Sequence, residues 1–352
     1  MNSDENCVEI VNRSSRKRSF PNQHNLKQTK KRVVLGELTN CCHASFKSTP
    51  SFIKEAGDEE CAKRDISVSA GWVWENRLLY APLMYQHLHS LEIEENRRPL
   101  PDYMEKVQKD VTISMREILV DWLVEVAEEY RLVSDTLFLT VSYIDRFLSC
   151  RCLSRNKLQL LGVCSMLIAS KNEEISPPHA EDFCYITDNT YTKDEVVQME
   201  GDLLKILDSE VSTPTSKTFL RIFIRAVQED DMPQPSCSSL EFLSWFLVEL
   251  SLVDYSCLRF LPSMVAASAI FIAKFTLEPE KHPWGMKMQR CSGYTTSELE
   301  DCVLTMHELQ LNRRGSSSKA IREKYSQHKF KSVAALPCPS EIPVSYFEDV
   351  DE

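Results

Sequence analysis

The stretch Ser165-Met-Leu-Ile-Ala-Ser-Lys171 returns 103 residues later as Ser268-Ala-Ile-Phe-Ile-Ala-Lys274, and an amphipathic stretch lies upstream of each copy, Leu137 to Leu148 and Leu240 to Leu252. That repetition constrains the chain more than any boundary, because it implies two copies of one helical unit. From Trp72 to the region of Arg322 apolar residues recur at three- and four-residue steps with few β-type alternations, so the body reads as all-α. Pro-rich breaks at Pro99 to Pro101, Pro177 to Pro178, Pro214 and Pro233 to Pro235 punctuate it. The 352 residues allow two to three domains at roughly 150 residues each.

Several function classes are excluded early. Only eight residues are Gly, and no two lie closer than eight positions. Phosphate-cradling loops need clustered glycines, so neither a P-loop nor a dinucleotide fingerprint exists. The net charge is −11, yet residues 1 to 54 hold ten Lys or Arg against four Asp or Glu, leaving −17 for residues 55 to 352. A basic tail precedes an acidic body, which argues against nucleic acid as a partner. Thirteen cysteines without a C-x-x-C pair, and no N-terminal signal sequence, point to a reduced cytosolic or nuclear setting. The adjacent Cys41, Cys42 and His43 suit tetrahedral ligation poorly, so neither metal nor cofactor is expected. The longest uncharged apolar run, Phe260 to Ala273, is shorter than the roughly 20 residues of a spanning helix, so no membrane partner is expected.

Residues 1 to about 70 are polar, poor in aromatics and without sustained periodicity, the composition of a disordered tail. Arg16, Lys17, Arg18 and, further on, Lys30, Lys31, Arg32 have the layout of a bipartite nuclear import signal, which would engage an import carrier and place the protein in the nucleus as well as the cytoplasm. Leu336 to Glu352 holds three prolines and finishes acidic, the mark of an extended tail. Thr49 and Thr213 each precede a proline and are open to modification.

Three helices carry something unusual. Ser114 with Glu117 forms a capping-box pattern opening a helix from Met115 to about Tyr130. Its apolar arc, about 240° wide, is far broader than one core needs. Either its own domain surrounds it, or the row Met115, Ile118, Leu119, Trp122 is a docking groove. Arg116 falls inside that arc and requires a carboxylate; Asp145, in Tyr143-Ile-Asp-Arg-Phe147, is the partner expected to complete a structural pair. Leu158 to Lys171 is apolar at nearly every angle, with Gly162, Ser165 and Ala169 admitting close neighbours, and belongs at the centre of a bundle. Lys171 ends it, where a cation also meets the favourable end of the dipole. Glu200 sits within the apolar stripe of the helix from about Lys193 to Leu207, so Lys171 and Glu200 form an internal pair or face a groove that binds another protein.

Met115-Arg-Glu-Ile-Leu-Val-Asp-Trp-Leu-Val-Glu-Val-Ala-Glu-Glu-Tyr130, Tyr143-Ile-Asp-Arg-Phe-Leu148, Leu158-Gln-Leu-Leu161, Ala169-Ser-Lys-Asn-Glu-Glu-Ile175 and Tyr185-Ile-Thr-Asp188 with Thr190-Tyr-Thr192 resemble the first cyclin box of an A-type cyclin, with a plant flavour. The likeness is dense from about 103 to 212 and looser from 213 to 325. It implies an all-α fold of two tandem five-helix cyclin boxes, 103–212 and 213–325, with a helical extension over 72–102, a regulatory tail over 1–70 and a C-terminal tail over 326–352. It implies a regulatory subunit, not an enzyme and without catalytic residues, that activates a cyclin-dependent protein kinase and recruits Arg-x-Leu substrates and inhibitors.

By the same resemblance Lys171 and Glu200 match the pair that bonds the kinase near its αC helix, with Glu173 and Glu174 beside them. Met115, Ile118, Leu119 and Trp122, with Gln159, match the Arg-x-Leu docking patch, and Glu125 the residue that meets the motif's arginine. Arg32-Val-Val-Leu35-Gly-Glu-Leu-Thr-Asn40 resembles the destruction box read by the anaphase-promoting ubiquitin ligase. Asn172 and Ser209 stand where aromatics are usual, and Pro82 and Leu83 where charges are, all on the kinase-facing side. The alternative is a cyclin-fold transcription adaptor contacting DNA through basic helices, which the acidic body opposes. An enzyme with its own centre has little support, since His179 follows Pro177-Pro178 with no nucleophile beside it.

Overall fold

The structure, a computed structural model, describes residues 83–228, 234–315 and 319–348. Helical residues 83–92 (α1) and the short α2 (Tyr103–Lys106) lead into five helices: α3 (Ile113–Glu129), α4 (Ser134–Cys150), α5 (Leu158–Glu173), α6 (Ala180–Ile186) and α7 (Lys193–Ile206). Five more follow: α8 (Ser216–Gln228), α9 (Gln234–Val253), α10 (Pro262–Leu277), α11 (Met286–Ser292) and α12 (Thr296–Gln310), before α13 (Lys319–Tyr325). No strand occurs among the described residues.

The repeat supplies the two central helices. In α5 every residue from Leu158 to Ser170 is buried, and α10 is buried through nearly its whole length. Gly162 is small for a reason: a Cβ there would lie 2.8 Å from Leu119 Cδ1, so its absence lets α3 close on α5. The repeat also extends further than its aliphatic core. Thr192 and Glu195 exchange bonds at the start of α7, with Glu195 Oε2 accepting from Thr192 N at 2.8 Å and Thr192 Oγ1 accepting from Glu195 N at 3.3 Å. Thr295 and Glu298 do the same for α12 at 2.8 and 3.4 Å, again 103 residues on.

Helix α3 buries residues on two sides, as its wide arc requires. One side meets α4 and α5, the other α9 and α13. Its cap differs from the expected Ser114. Thr112, still extended at φ −115° and ψ 163°, turns its hydroxyl onto the amide of Met115 at 3.3 Å, and Ser114 already lies inside the helix.

The C-terminal segment corrects the expectation of an extended tail. Val333, Ile342 and Phe347 are buried, Phe347 stacks on Phe271 with centroids 5.6 Å apart, and His307 Nε2 lies 2.9 Å from the Pro339 carbonyl. Prolines interrupt any periodicity here, but widely spaced apolar side chains still fill grooves that the second set of helices has already built. At the other end, α1 is tied to that set by Tyr85, whose hydroxyl donates to the Ser292 carbonyl at 2.5 Å. Glu92 is buried and accepts from the Ser263 amide at 2.9 Å and its hydroxyl at 2.5 Å, capping α10.

Candidate partner-binding surface

Lys171 lies in the last turn of α5 and Glu200 sits midway along α7; these helices pack together, so the two side chains meet with Nζ 2.5 Å from Oε1. The pair lies at the surface, its side chains 49% and 16% exposed. Among the described residues each bonds only the other, so the ammonium retains two donors and the carboxylate a free oxygen. Val197, one turn before Glu200 on α7, and Ile175, just beyond α5, are exposed large apolar residues. The two readings of the sequence therefore merge: the pair is internal in its bonding and open on its outer side.

Glu173 and Glu174 part from it. Glu174 Oε1 accepts from the Val133 amide and the Thr136 hydroxyl, both at 2.7 Å, and so caps α4. The unsatisfied amides and positive dipole at that helix start draw in the carboxylate, so Glu174 bonds within the first set of helices through Oε1. Glu173 is half-buried, accepts from Asn172 at 2.8 Å, and has its carboxyl held above the usual range by burial and by Asp135. It lines a cavity of about 190 Å³ with Asp135, Leu139 and residues 212–215.

Arg116 and Asp145 meet as expected, at 2.6 and 2.7 Å, and both are buried. Tyr103 donates to the same carboxylate at 2.8 Å. Burial works against the Arg116 charge, but Asp145 and Tyr103 more than offset it and hold the guanidinium above its ordinary value. The third branch of this network was not legible in advance: Arg116 Nη1 donates to the carbonyls of Leu252 and Val253, at 3.0 and 2.9 Å, at the end of α9. One side chain thus ties α3 to α4 and both to the second set of helices.

The expected docking row is a floor and not a set of projecting side chains. Met115, Leu119 and Trp122 are buried, Ile118 is half-buried, and Glu125 is exposed beside them. Gln159 from α5 is buried, and its Oε1 lacks a hydrogen-bond partner. The acidic side of α3 has another occupant: Asp121 accepts from the Ala320 amide at 3.1 Å and caps α13. Burial pushes the Asp121 carboxyl up to about 6, against the pull of these amides. Burial, then Glu323, raises the carboxyl of Glu125.

Sequence reasoning missed Lys217 altogether. Nearly fully buried on α8, it holds Nζ 3.6 Å from the centroid of Trp245 and has no hydrogen bond or ion pair among the described residues. Burial brings its amine down to about 7. Arg16 to Arg18, Lys30 to Arg32, Leu35, Asn40 and Pro82 lie outside the described residues.

The family model for the cyclin N-terminal domain matches residues 83–212, and that for the cyclin C-terminal domain residues 214–339. Over 273 residues the chain is 62% identical to Cyclin-A3-1 of Oryza sativa subsp. japonica, spanning 78% of this chain and 73% of that protein. It is 46% identical over 366 residues to Cyclin-A3-4 of Arabidopsis thaliana, spanning 99% and 98%. A viral cyclin from herpesvirus saimiri shares the fold, with a TM-score of 0.55, 20% identity, and 69% of this chain and 97% of that one covered.

Proposed function

The chain belongs to the cyclin family, among relatives that are plant A-type cyclins, and from this premise we propose that it is the regulatory subunit that binds and activates a cyclin-dependent Ser/Thr protein kinase. The observation that carries the binding site is the outward-facing Lys171–Glu200 pair with exposed Val197 and Ile175 beside it. Kinase activity requires the αC helix to be held inward so that its Glu pairs with the catalytic Lys. A cyclin achieves this by binding the active arrangement more tightly than the inactive one. Moving a kinase from 1:99 to 99:1 takes about 5.5 kcal/mol of differential affinity. An exposed ion pair contributes roughly 1 kcal/mol at most, so buried apolar surface must supply the larger part. At about 25 cal/mol per Å² this is upwards of 150 Å² of apolar contact before association costs. Lys171 and Glu200 then serve mainly for register, bonding backbone groups of the incoming helix at fixed points.

Substrate recruitment is the second part of the proposal. The floor of Met115, Leu119 and Trp122 would take the leucine of an Arg-x-Leu segment, the unpaired Gln159 Oε1 would accept one of its amides, and Glu125 would meet its arginine. Capture by the anaphase-promoting ubiquitin ligase through Arg32, Leu35 and Asn40, and nuclear import through the two basic clusters, complete it. The −17 carried by residues 55–352 disfavours the DNA-binding alternative.

The test is reconstitution. Purified protein is expected to show no phosphorylation alone and to raise a partner kinase's activity strongly. Lys171→Ala with Glu200→Ala should weaken kinase binding by tenfold or more; wild-type affinity would refute the site. Trp122→Ala should slow phosphorylation of Arg-x-Leu substrates while sparing short peptides, and equal loss on both would refute the docking role.

A further inference from the structure

The segment joining the two sets of helices, residues 207–215, contains Thr213-Pro214 and is held by arginines from two directions. Arg97 donates to the Ser212 carbonyl at 2.9 Å while pairing with Glu94 and Glu210. Arg146, buried on α4, donates to the Glu210 carbonyl at 3.0 Å, the Leu207 carbonyl at 3.5 Å and the Thr213 hydroxyl at 3.4 Å. No carboxylate pairs with Arg146 among the described residues, so a buried positive charge beside Thr213 is left to neutral carbonyls. Arg98, half-buried, makes no side-chain hydrogen bond or ion pair among the described residues. It lines, with Arg97, Thr213, the Arg116–Asp145 pair, Glu92 and a largely apolar wall, a cavity of about 120 Å³ between the two sets.

We propose that Thr213 is a phosphorylation site whose phosphate is captured by Arg98 and Arg146, locking the inter-bundle linker. The γ-phosphoryl group of ATP passes to Thr213 Oγ1, ADP and the hydroxyl proton leave, and a near-dianionic group with three acceptor oxygens remains. Arg146 already meets the Thr213 hydroxyl, and Arg98, without a partner among the described residues, lines the same cavity as Thr213. Arg97 is already shared between Glu94 and Glu210 and contributes less. The two sides of Thr213 differ in their cations: this cavity presents Arg97 and Arg98 beside carboxylates already engaged, Asp145 with Arg116 and Glu92 with Ser263, whereas the cavity on the other side presents Glu173 and Asp135, the latter paired with Arg221, and no cation lines it.

The experiment uses the full chain, a purified proline-directed Ser/Thr kinase and ATP, with sites mapped by mass spectrometry. Thr49 and Ser176, which also precede prolines, act as internal controls. Expected are phosphate on Thr213, a rise of roughly 3 °C in the unfolding temperature, and removal of that phosphate by a broad phosphatase several-fold more slowly than from Thr49. Arg98→Gln should unfold like wild type before modification and lose both effects after it, and Thr213→Val should show no rise although Thr49 and Ser176 are modified. The proposal is overturned if Thr213 stays unmodified while the controls carry phosphate, if modification lowers or leaves unchanged the unfolding temperature, or if Arg98→Gln retains the rise.

Discussion

The two copies of the repeat make the same architecture from different chemistry at matching positions. At the 103-residue offset Arg116 and Asp145 of the first copy correspond to Phe219 and Val248 of the second, and Lys171 and Glu200 correspond to Lys274 and Val303. Phe219, Val248 and Val303 are fully buried. The fold is therefore built once with apolar residues at three of the four positions where the other copy holds two ion pairs, Lys274 alone keeping its charge, and helix packing does not require either pair. Each pair must answer to something outside its own bundle. Arg116 does so visibly, through the carbonyls of Leu252 and Val253; Lys171 and Glu200 face outward, and on the proposed function they do so toward the kinase.

The sharpest way to break this contrast is Asp145→Ala, which strands Arg116 in the core; a loss of roughly 3–5 kcal/mol is expected in chemical denaturation. Replacing both partners by apolar residues, Arg116→Met with Asp145→Leu, imitates the second copy and should cost less than the single change. Its remaining cost would combine the lost bonds to residues 252 and 253 with the Tyr103 hydroxyl left unpaired. Next comes Lys217→Met, which replaces a buried amine by a side chain of like shape and is expected to stabilise by about 1–4 kcal/mol near neutral pH. Because the folded-state value of the Lys217 amine, about 7, is below its ordinary 10.5, the unfolded chain binds more protons between those values. Wild-type stability should therefore rise with pH across that window and the gap to Lys217→Met should close; a gap that is constant with pH would contradict it. Gly162→Ala should cost roughly 1–2 kcal/mol, since Leu119 must move off the new methyl, readable as a lowered unfolding midpoint. Smallest is Lys171→Ala with Glu200→Ala, expected to shift stability by less than about 1 kcal/mol while kinase binding falls. A stability loss as large as that of Asp145→Ala would erase the distinction between the two pairs.

Much of this was legible in the sequence because it rests on local periodicity. The aliphatic repeat identified α5 and α10 as centres, the wide arc of α3 required two neighbours, and a cation inside that arc required a carboxylate, which Asp145 supplies. The paired capping boxes at Thr192 and Thr295 were equally readable at the same offset. What stayed hidden depends on surfaces that exist only after folding. Glu174 follows Lys171 closely in sequence, yet it turns to the start of α4 because unpaired amides wait there. Lys217 is the second residue of α8, where charge is usually solvated, and only the approach of Trp245 buries it. Segment 326–348 has no period of its own and is ordered by grooves it does not form. Glu92 and Ser263 meet across 171 residues, beyond any window of pattern reading.

The bonds of Arg116 also impose an order in time on synthesis. Asp145 follows it after 29 residues, but the carbonyls that complete its guanidinium come 136 and 137 residues later. At about 5–20 residues per second the first bundle spends on the order of ten seconds on the ribosome with part of its buried cation unanswered. During that interval the donors meant for those carbonyls are left to water, so the first bundle completes its polar network only once the second has been made.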